Sequence, residues 1–324
     1  MPIDASFPPA LVMLAGALLL PLLPRNYRSF FSLFIPLLAL GLVWLAPSGV
    51  NLTLELMDYQ LVVYKVDRLS RIFGTIFALI TLIGSLFAFH VKEAAKQTAA
   101  LLYAAGALGV TFAGDLITLF VFWELMSLPS TYLIWARGVR ESEKAGMRYL
   151  MFHIFGGGLL FAGIVVHTGE TGRILVEQLT ARNALSSWLI LAGVAVNAAI
   201  VPLHAWLADA YPKATVTGAV FLSALTTKTA VYVLLRMFPG WEVLIYLGVM
   251  MALYGVVFAV LANDIREILA YHIISQVGYM VAGAGIGTEM AINGASAMPS
   301  ATSCTRPSFL WAPGLYSTPR GKAN

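Results

Sequence analysis

Two ionisable side chains interrupt long apolar segments of this sequence. Glu124 lies in the middle of LITLFVFWELMSLPSTYLIW, and Lys228 lies well inside FLSALTTKTAVYVLLR. A charged side chain at the centre of a bilayer costs about 2.5–3.5 kcal/mol on insertion scales, so each of these residues needs a physical reason to be there. Acid–base chemistry is one such reason, because a carboxyl and an amine can both take up and release protons.

Glu124 shares one face of its predicted helix with Ser127 and Thr131, which follow at i+3 and i+7. That polar face is expected to look into the protein. A low dielectric favours the neutral acid and a nearby cation favours the carboxylate, so a glutamate balanced between the two can load and release a proton. The alternative is a structural carboxylate that holds two helices together.

Lys228 is followed one turn later by Tyr232 on the same helix face. Its position is too deep in the segment for the amine to reach the membrane surface. Burial favours the neutral amine, so this lysine can alternate between charged and neutral forms, whereas an arginine would stay charged. The alternative is a fixed counter-ion for Glu124 or for another carboxylate.

Three histidines extend the set of candidate proton carriers. They are His153 in RYLMFHIFGGG, His204 in IVPLHAWL and His272 in AYHIISQVGYM. Histidine titrates near neutral pH and can relay protons, although each of the three could equally be a hydrogen-bonded packing residue. No two of them are spaced at i, i+3 or i, i+4, so the pattern predicts no metal site.

Pro202 is predicted to break the helix that carries His204. Proline removes a helix hydrogen bond, and backbone groups freed inside a membrane are expected to meet water or a cavity. Pro129 and the glycines at 156–158 would loosen their helices in a similar way. Close helix packing explains the glycines as well, because small residues let helices approach each other.

The composition places these residues in a membrane protein. Of 324 residues, 59% are hydrophobic and 11% are charged, and the mean hydropathy is +0.82, outside the range of soluble domains. A bilayer span needs roughly 20 apolar residues. The predicted spans are 8–24, 29–46, 71–91, 97–113, 115–136, 148–167, 186–207, 216–237, 241–262 and 266–286. The sequence therefore predicts an all-α polytopic membrane protein with about ten transmembrane helices.

The charges outside the spans indicate topology and exclude several functions. Lys and Arg divide ten against six between alternate loops, which places the N-terminus outside the cell inner (plasma) membrane. They are dispersed, so a nucleic-acid surface is not expected. The single cysteine, Cys304, excludes a disulfide framework and a thiolate set for an iron–sulfur cluster. No phosphate-binding motif is present, and no bound cofactor is expected.

Three segments outside the spans have patterns of their own. Gly49–Lys65 alternates apolar and polar residues and predicts a hairpin that covers the outer face. Thr171–Asn183 predicts a short helix along the membrane interface, with a plain amphipathic linker as the alternative. The proline-, serine- and threonine-rich stretch Ser296–Asn324 predicts an irregular tail outside the fold.

Three sequence blocks between Asp115 and Met280 together resemble a known family. They are FVFWELMSLPSTYLI, VPLHAWLADAYPKATVTGAVFLSALTTKTAVYVLLR and NDIREILAYHIISQVGYM. In this order they resemble the antiporter-like, proton-translocating subunits of complex I and of Mrp antiporters, and most of all the D subunit of Mrp antiporters and its complex I and hydrogenase-associated relatives. The resemblance implies two inverted five-helix repeats, each with a discontinuous helix.

That resemblance also implies a division of the chain. Residues 1–96 would hold N-terminal transmembrane helices and the external hairpin, and 97–237 the complete first repeat. Residues 238–292 would begin a truncated second repeat, and 293–324 would be a disordered tail foreign to the family. The codons of Cys304 and the three residues after it, regrouped one base earlier, can encode the Leu-Tyr-Lys-Ala run that family members carry there. A one-base shift is therefore a hypothesis for the tail.

The site residues implied by the resemblance fall into two groups. Glu124 matches the glutamate of the first repeat, Lys228 the lysine after the broken helix, and His204 a motif residue at the break. The expected proton carriers are Glu124, Lys228, His204, His153 and His272. The expected supporting residues are Asn197, Asp209, Pro202 and Tyr232. Asn197 stands where the family usually has a lysine, so the usual glutamate–lysine pair is incomplete. Either Lys228 takes over the role of that lysine, or hydrated Asn197 and a histidine do.

The implied function is proton movement as a membrane subunit of a multi-subunit antiporter, hydrogenase or complex I-like assembly. Partner subunits would supply quinone reduction or sodium exchange, and this chain would have no redox site of its own. One rival interpretation is a truncated remnant that inserts in the bilayer and transports nothing. The other is an independent secondary transporter, whose substrate pocket would be unrelated to Glu124.

Overall fold

The computed structural model describes residues 7–56 and 59–316, and the side chains of those residues up to 302. Its helices are α1 Pro9–Leu19, α2 Arg25–Leu45, α3 Arg68–Phe87, α4 Ala94–Phe112, α5 Leu116–Trp135, α6 Arg140–Thr171, α7 Leu185–Asn197, α8 Ala205–Ala210, α9 Val216–Ala224, α10 Thr226–Met237, α11 Glu242–Leu261, α12 Ile265–Ile286 and α13 Glu289–Tyr316. Within the described part, seven helical segments are long and apolar enough to cross a membrane. The predicted class, an all-α polytopic membrane protein, is confirmed.

Helix α4 lies in the middle of the bundle and contacts α1, α3, α5 and α10. The small side chains of its alanines and glycines let several helices pack around it. A Cβ atom added at Gly106 would lie 2.5 Å from Met126, and one at Gly109 would lie 2.1 Å from the Phe122 ring. The backbones of α4 and α5 therefore approach as closely as small-residue helix contacts in membranes allow.

The hairpin predicted over residues 49–65 is confirmed. Strand β1, Gly49–Leu56, pairs antiparallel with β2, Tyr59–Val66. The backbone amide of Gly114 donates to the carbonyl of Val62 at 2.8 Å, which fastens the hairpin to the loop between α4 and α5. Asp67, directly after β2, caps α3 and forms an ion pair with Arg236 near the end of α10. This ion pair joins α3 to α10 beside the hairpin.

The predicted interfacial helix over 171–183 is wrong. Helix α6 continues to Thr171 and ends at Gly172, whose φ of 66° is left-handed and suits glycine. The chain beyond is extended, because its backbone finds partners elsewhere. Leu116 donates to Ile174 at 2.7 Å, and Val176 donates to Gly114 at 2.9 Å. These bonds replace those that a helix would have made within the segment.

Two of the predicted spans are broken in the middle. The span 186–207 splits into α7 and α8, as Pro202 predicts, and the Val201–Pro202 peptide is cis. The span 216–237 splits into α9 and α10 at Leu225, a break that the sequence does not predict. The two interruptions lie on either side of the segment that carries Asp209.

The irregular tail predicted from Ser296 is replaced by helix as far as Tyr316, where α13 ends. The remainder of that predicted tail, 317–324, lies outside the described residues. Hydroxyl groups make helix compatible with this composition: Ser296 donates to the carbonyl of Asn293 at 2.9 Å, and Ser300 donates to that of Ala297 at 2.6 Å. Cys304, whose codon enters the hypothesis of a one-base shift, follows residue 302, the last whose side chain the structure describes.

Candidate functional site

Glu124 points from α5 onto a glycine of α6. A Cβ atom added at Gly157 would lie 1.8 Å from Oε1 of Glu124, so the carboxyl occupies the space that a side chain would fill. Oε1 is buried and accepts no hydrogen bond from the described residues. A buried carboxyl oxygen without a protein donor is an unusual feature, and it suits a group that exchanges protons with water.

Replacement of Gly157 by alanine is expected to displace the Glu124 carboxyl. Overpacking of this kind costs about 1–3 kcal/mol, so the variant should unfold at a lower temperature in detergent and should lose proton transport. Gly158→Ala is the matched control, since a Cβ there has no neighbour within 4 Å. That control should be as stable as the parent or more stable, because alanine favours helix. Equal behaviour of the two variants would contradict the assigned contact.

His153 lies one turn before Gly157 on α6, and its side chain is 3% exposed. Its Nδ1 is 2.9 Å from the carbonyl oxygen of Tyr149, and its Nε2 has no hydrogen-bond partner among the described residues. The imidazole stacks on the Tyr149 ring at 3.9 Å and meets the edge of Trp206 at 4.7 Å. Gly157, against which the Glu124 carboxyl of α5 lies, and His153 therefore occupy neighbouring turns of α6. Glu124 and His153 each have a buried polar atom with no partner among the described residues.

The break between α7 and α8 holds the next group of predicted residues. Asn197, the last residue of α7, is 2% exposed, and its Oδ1 is buried without a hydrogen bond from the described residues. Trp206 donates from its indole to the carbonyl of Val196 at 2.8 Å and so caps the end of α7. His204 is partly buried and meets the Tyr254 ring of α11 at 4.4 Å. Asn197 can hydrogen-bond water at this break but cannot carry a proton.

Lys228 is held at the second break, between α9 and α10. Its side chain is 0% exposed, and Nζ donates to the carbonyl of Ser223, on the α9 side of the interruption. One turn later, Tyr232 donates its hydroxyl to the carbonyl of Thr111 on α4, and Arg236 lies over the Tyr232 ring. The lysine amine is thus inside the bundle, as the sequence predicts, at a point where the helix is interrupted.

His272 is the predicted proton carrier that the structure sets apart from the others. It is exposed on α12, whereas the preceding Tyr271 stacks on Phe258 of α11. By contrast, a polar side-chain atom is buried in each of four other residues: Glu124, His153, Asn197 and Lys228. Its assignment as a carrier remains a proposal about a residue at the surface of the described chain.

Asp209 joins α6 to the end of α8 through a shared ion pair. Arg148 donates to it from Nε at 2.7 Å, and Lys213 donates at 2.5 Å. Partial burial of Asp209 opposes its charge, but the hydrogen bonds from Lys213 and Arg148 prevail and hold the pKa of this carboxyl below its usual range. Asp209 is therefore ionised at neutral pH and acts as a fixed charge that positions the broken helix.

Asp209→Asn is expected to lower the melting temperature at pH 7. Because the folded-state pKa is depressed, the stabilisation is present above the unfolded pKa of about 3.9 and is lost as the pH falls through the folded value. Thermal unfolding between pH 7 and pH 3 should therefore show the parent and the variant converging on the acid side. Glu93→Gln serves as the control, since its pair with Lys96 is on the surface and should contribute little. A gap that stays constant down to pH 3 would refute the assignment.

Residues missed by the sequence analysis join these groups to one another. They are the buried hydroxyl residues Tyr103, Ser130, Tyr149 and Thr226, together with Arg148. The available signal was the presence of Ser, Thr and Tyr inside apolar spans, where a hydroxyl needs a partner. Their spacing alone does not reveal which of them meet.

Comparison with known proteins identifies the family. Residues 113–300, more than half of the chain, match the family described as NADH:quinone oxidoreductase/Mrp antiporter, TM. The chain belongs to this family. The matched region contains every predicted site residue, and it continues past residue 293, where the sequence analysis placed the end of the family fold. The resemblance seen in the three sequence blocks is confirmed.

Individual members of the family show the extent of the likeness. The D subunit of the Na(+)/H(+) antiporter of Alkalihalophilus pseudofirmus is 30% identical over 277 residues, which cover 78% of this chain and 53% of that protein. The N subunit of the NADH-quinone oxidoreductase of Desulforudis audaxviator is 34% identical over 215 residues, covering 60% and 43%. The chain thus spans about half the length of these curated relatives.

The fold also has a close match among solved structures. A chain of the Mrp complex from Dietzia sp. DQ12-45-1b superposes with a TM-score of 0.81 at 25% identity. The match covers 97% of this chain and 65% of that one. The helical architecture described above is therefore that of a membrane subunit in the NADH:quinone oxidoreductase/Mrp antiporter family.

Proposed function

We propose that this chain is a proton-translocating membrane subunit of a multi-subunit cation/proton antiporter or NADH-quinone oxidoreductase-type assembly. The observation that most supports the proposal is the Glu124 carboxyl, whose buried oxygen lies against Gly157 and accepts no hydrogen bond from the part of the chain that the structure describes. Family membership supports it as well. The relatives named above are a subunit of a Na(+)/H(+) antiporter and a subunit of an NADH-quinone oxidoreductase.

The proposed path uses side chains that face the interior. Glu124 takes up a proton on the α5–α6 side, where His153, one turn from Gly157 on α6, has a ring nitrogen without a hydrogen-bond partner among the described residues. Lys228 takes up or releases a proton at the break between α9 and α10, because an amine held in a low dielectric can exist in both forms. Water bound at Asn197 would assist at the other break. Partner subunits would supply the driving force.

The orientation of the chain is part of the proposal. The N-terminus is placed outside the plasma membrane, with the loop around Pro212 on the cytoplasmic side. Arg137 and Arg266 both donate to the carbonyl of Pro212, at 3.0 and 3.2 Å, so basic residues gather at that end of the bundle. Such an excess of Lys and Arg favours the cytoplasm. The hairpin β1–β2 would then cover the outer face.

Proton flux in proteoliposomes tests the function directly. The complex purified with this chain is reconstituted, a pH-sensitive dye is enclosed, and acidification is followed under an imposed driving force. We expect flux that an uncoupler abolishes. Transport by a complex containing this chain rejects the remnant interpretation, and transport of another solute without protons would reject the proposal in favour of an independent secondary transporter.

A further inference from the structure

Four buried hydroxyl groups from separate helical elements meet inside the bundle. Tyr149 of α6 donates to Oγ of Ser130 on α5 at 3.0 Å, and its hydroxyl lies 3.3 Å from Oγ1 of Thr226. Thr226 in turn shares a short hydrogen bond with the hydroxyl of Tyr103 on α4. These side chains are at most 1% exposed. They form a continuous hydrogen-bonded chain, which we name the hydroxyl relay.

The two inner members of the hydroxyl relay, Tyr149 and Thr226, lie near the groups assigned to proton transfer. The Tyr149 ring that carries the central hydroxyl is the ring on which His153 stacks. Thr226 opens α10 at the break, two residues before Lys228 and three after Ser223, whose carbonyl accepts from the lysine amine. The relay therefore leads from the tyrosine beside the α6 histidine to the first residue of the helix that holds the lysine.

We propose that Ser130, Tyr149, Thr226 and Tyr103 conduct protons between the α5–α6 side and the break at Lys228. The inference rests on the proposed function and deepens it. It also explains how the interior can stay connected although Asn197, at the neighbouring break, has no ionisable group. Serine, threonine and tyrosine hydroxyls each donate one proton and accept others, which is the property that such a chain needs.

Each transfer in the relay balances without any co-reactant. A hydroxyl oxygen accepts a proton on a lone pair while its own proton passes to the next oxygen, so one O–H bond forms as another breaks. One proton enters at Ser130 or Tyr149 from the side of Glu124 and His153, and one leaves from Thr226 to the neutral Lys228 amine, directly or through water. No electron moves, and the hydroxyl groups return to their starting composition after they rotate.

Tyr149→Phe tests the relay because it keeps the ring against His153 and removes only the hydroxyl. Positioned proton-transfer groups contribute about 10²–10⁴-fold, and we expect proton flux in reconstituted vesicles to fall by at least about 10-fold. Tyr211→Phe is the matched control. It removes another buried tyrosine hydroxyl, which donates to the carbonyl of Leu222 at 2.7 Å outside the relay. Flux in that control should stay within about twofold of the parent.

Substitutions at Thr226 separate conduction from packing. Thr226→Val keeps the shape and removes the hydroxyl, whereas Thr226→Ser keeps the hydroxyl and loses a methyl group. We expect valine to reduce flux as Tyr149→Phe does and serine to retain it, with both variants assembled in the complex. The two Thr226 variants test proton conduction by the relay even if Tyr149→Phe fails to fold.

Two outcomes overturn the relay, and they are distinct from failure of the proposed function. Parental flux in both Tyr149→Phe and Thr226→Val, while Glu124→Gln is inactive, would reject the relay and leave the function standing. Flux that falls equally in Thr226→Ser and Thr226→Val would show that the site matters for packing only. Flux unaffected by Glu124→Gln would instead count against the proposed function itself.

Discussion

Glu124→Gln should abolish proton flux while leaving the fold intact. Glutamine fits the same space over Gly157 and can hydrogen-bond water, but it cannot take up and release a proton. The loss expected for a positioned proton carrier is about 10²–10⁴-fold, which is at or below background in a vesicle assay. The measurement is dye-reported acidification of proteoliposomes that contain the complex.

The control for that variant is Glu242→Gln. Glu242 lies exposed in the first turn of α11, so the same chemical change there removes a charge without touching the buried groups. Flux should be retained. If Glu124→Gln transported protons at the parental rate, the carboxyl over Gly157 would be one that joins α5 to α6 for structural reasons, which is the alternative that the sequence leaves open.

Lys228→Met should have the second-largest effect. Methionine fills a similar volume and removes the desolvation cost of a buried charge. The complex should therefore assemble, with the carbonyl of Ser223 losing its donor at a cost of about 1–3 kcal/mol. Proton flux should be lost, because no amine remains at the break between α9 and α10.

Lys228→Arg distinguishes a proton carrier from a fixed charge. A guanidinium stays protonated in proteins, so arginine can serve as a counter-ion but cannot release a proton. We expect flux to remain lost in Lys228→Arg, and Lys144→Met, an exposed substitution in the first turns of α6, to behave like the parent. Full activity in Lys228→Arg would support the counter-ion interpretation of Lys228.

The residues most visible in the sequence are those whose chemistry conflicts with their surroundings. Glu124 and Lys228 stand out because a charge in an apolar segment is costly, and both are found turned inward. Pro202 marks a helix break for a similarly local reason, since proline lacks a backbone donor. Signals of this kind need no knowledge of which helices are neighbours.

Features that depend on distant partners were not predictable. Tyr103 and Thr226 are 123 residues apart in sequence and meet only through the fold. The break at Leu225 has no proline or glycine to announce it. The segment after Thr171 is extended because the amide of Val176 donates to Gly114 and the carbonyl of Ile174 accepts from Leu116. Apolar residues surround His272 in the sequence, so its exposed direction could not be read from the pattern.

Infrared difference spectroscopy on the reconstituted complex tests the central claim most directly, because it follows the protonation of a carboxyl group while protons cross the membrane. When a pH gradient is imposed, the parent should show a protonated-carboxyl band that changes as transport starts. That band should be absent in Glu124→Gln and present in Glu242→Gln. Proton transport without any change in such a band, or the same band in Glu124→Gln, would contradict the account.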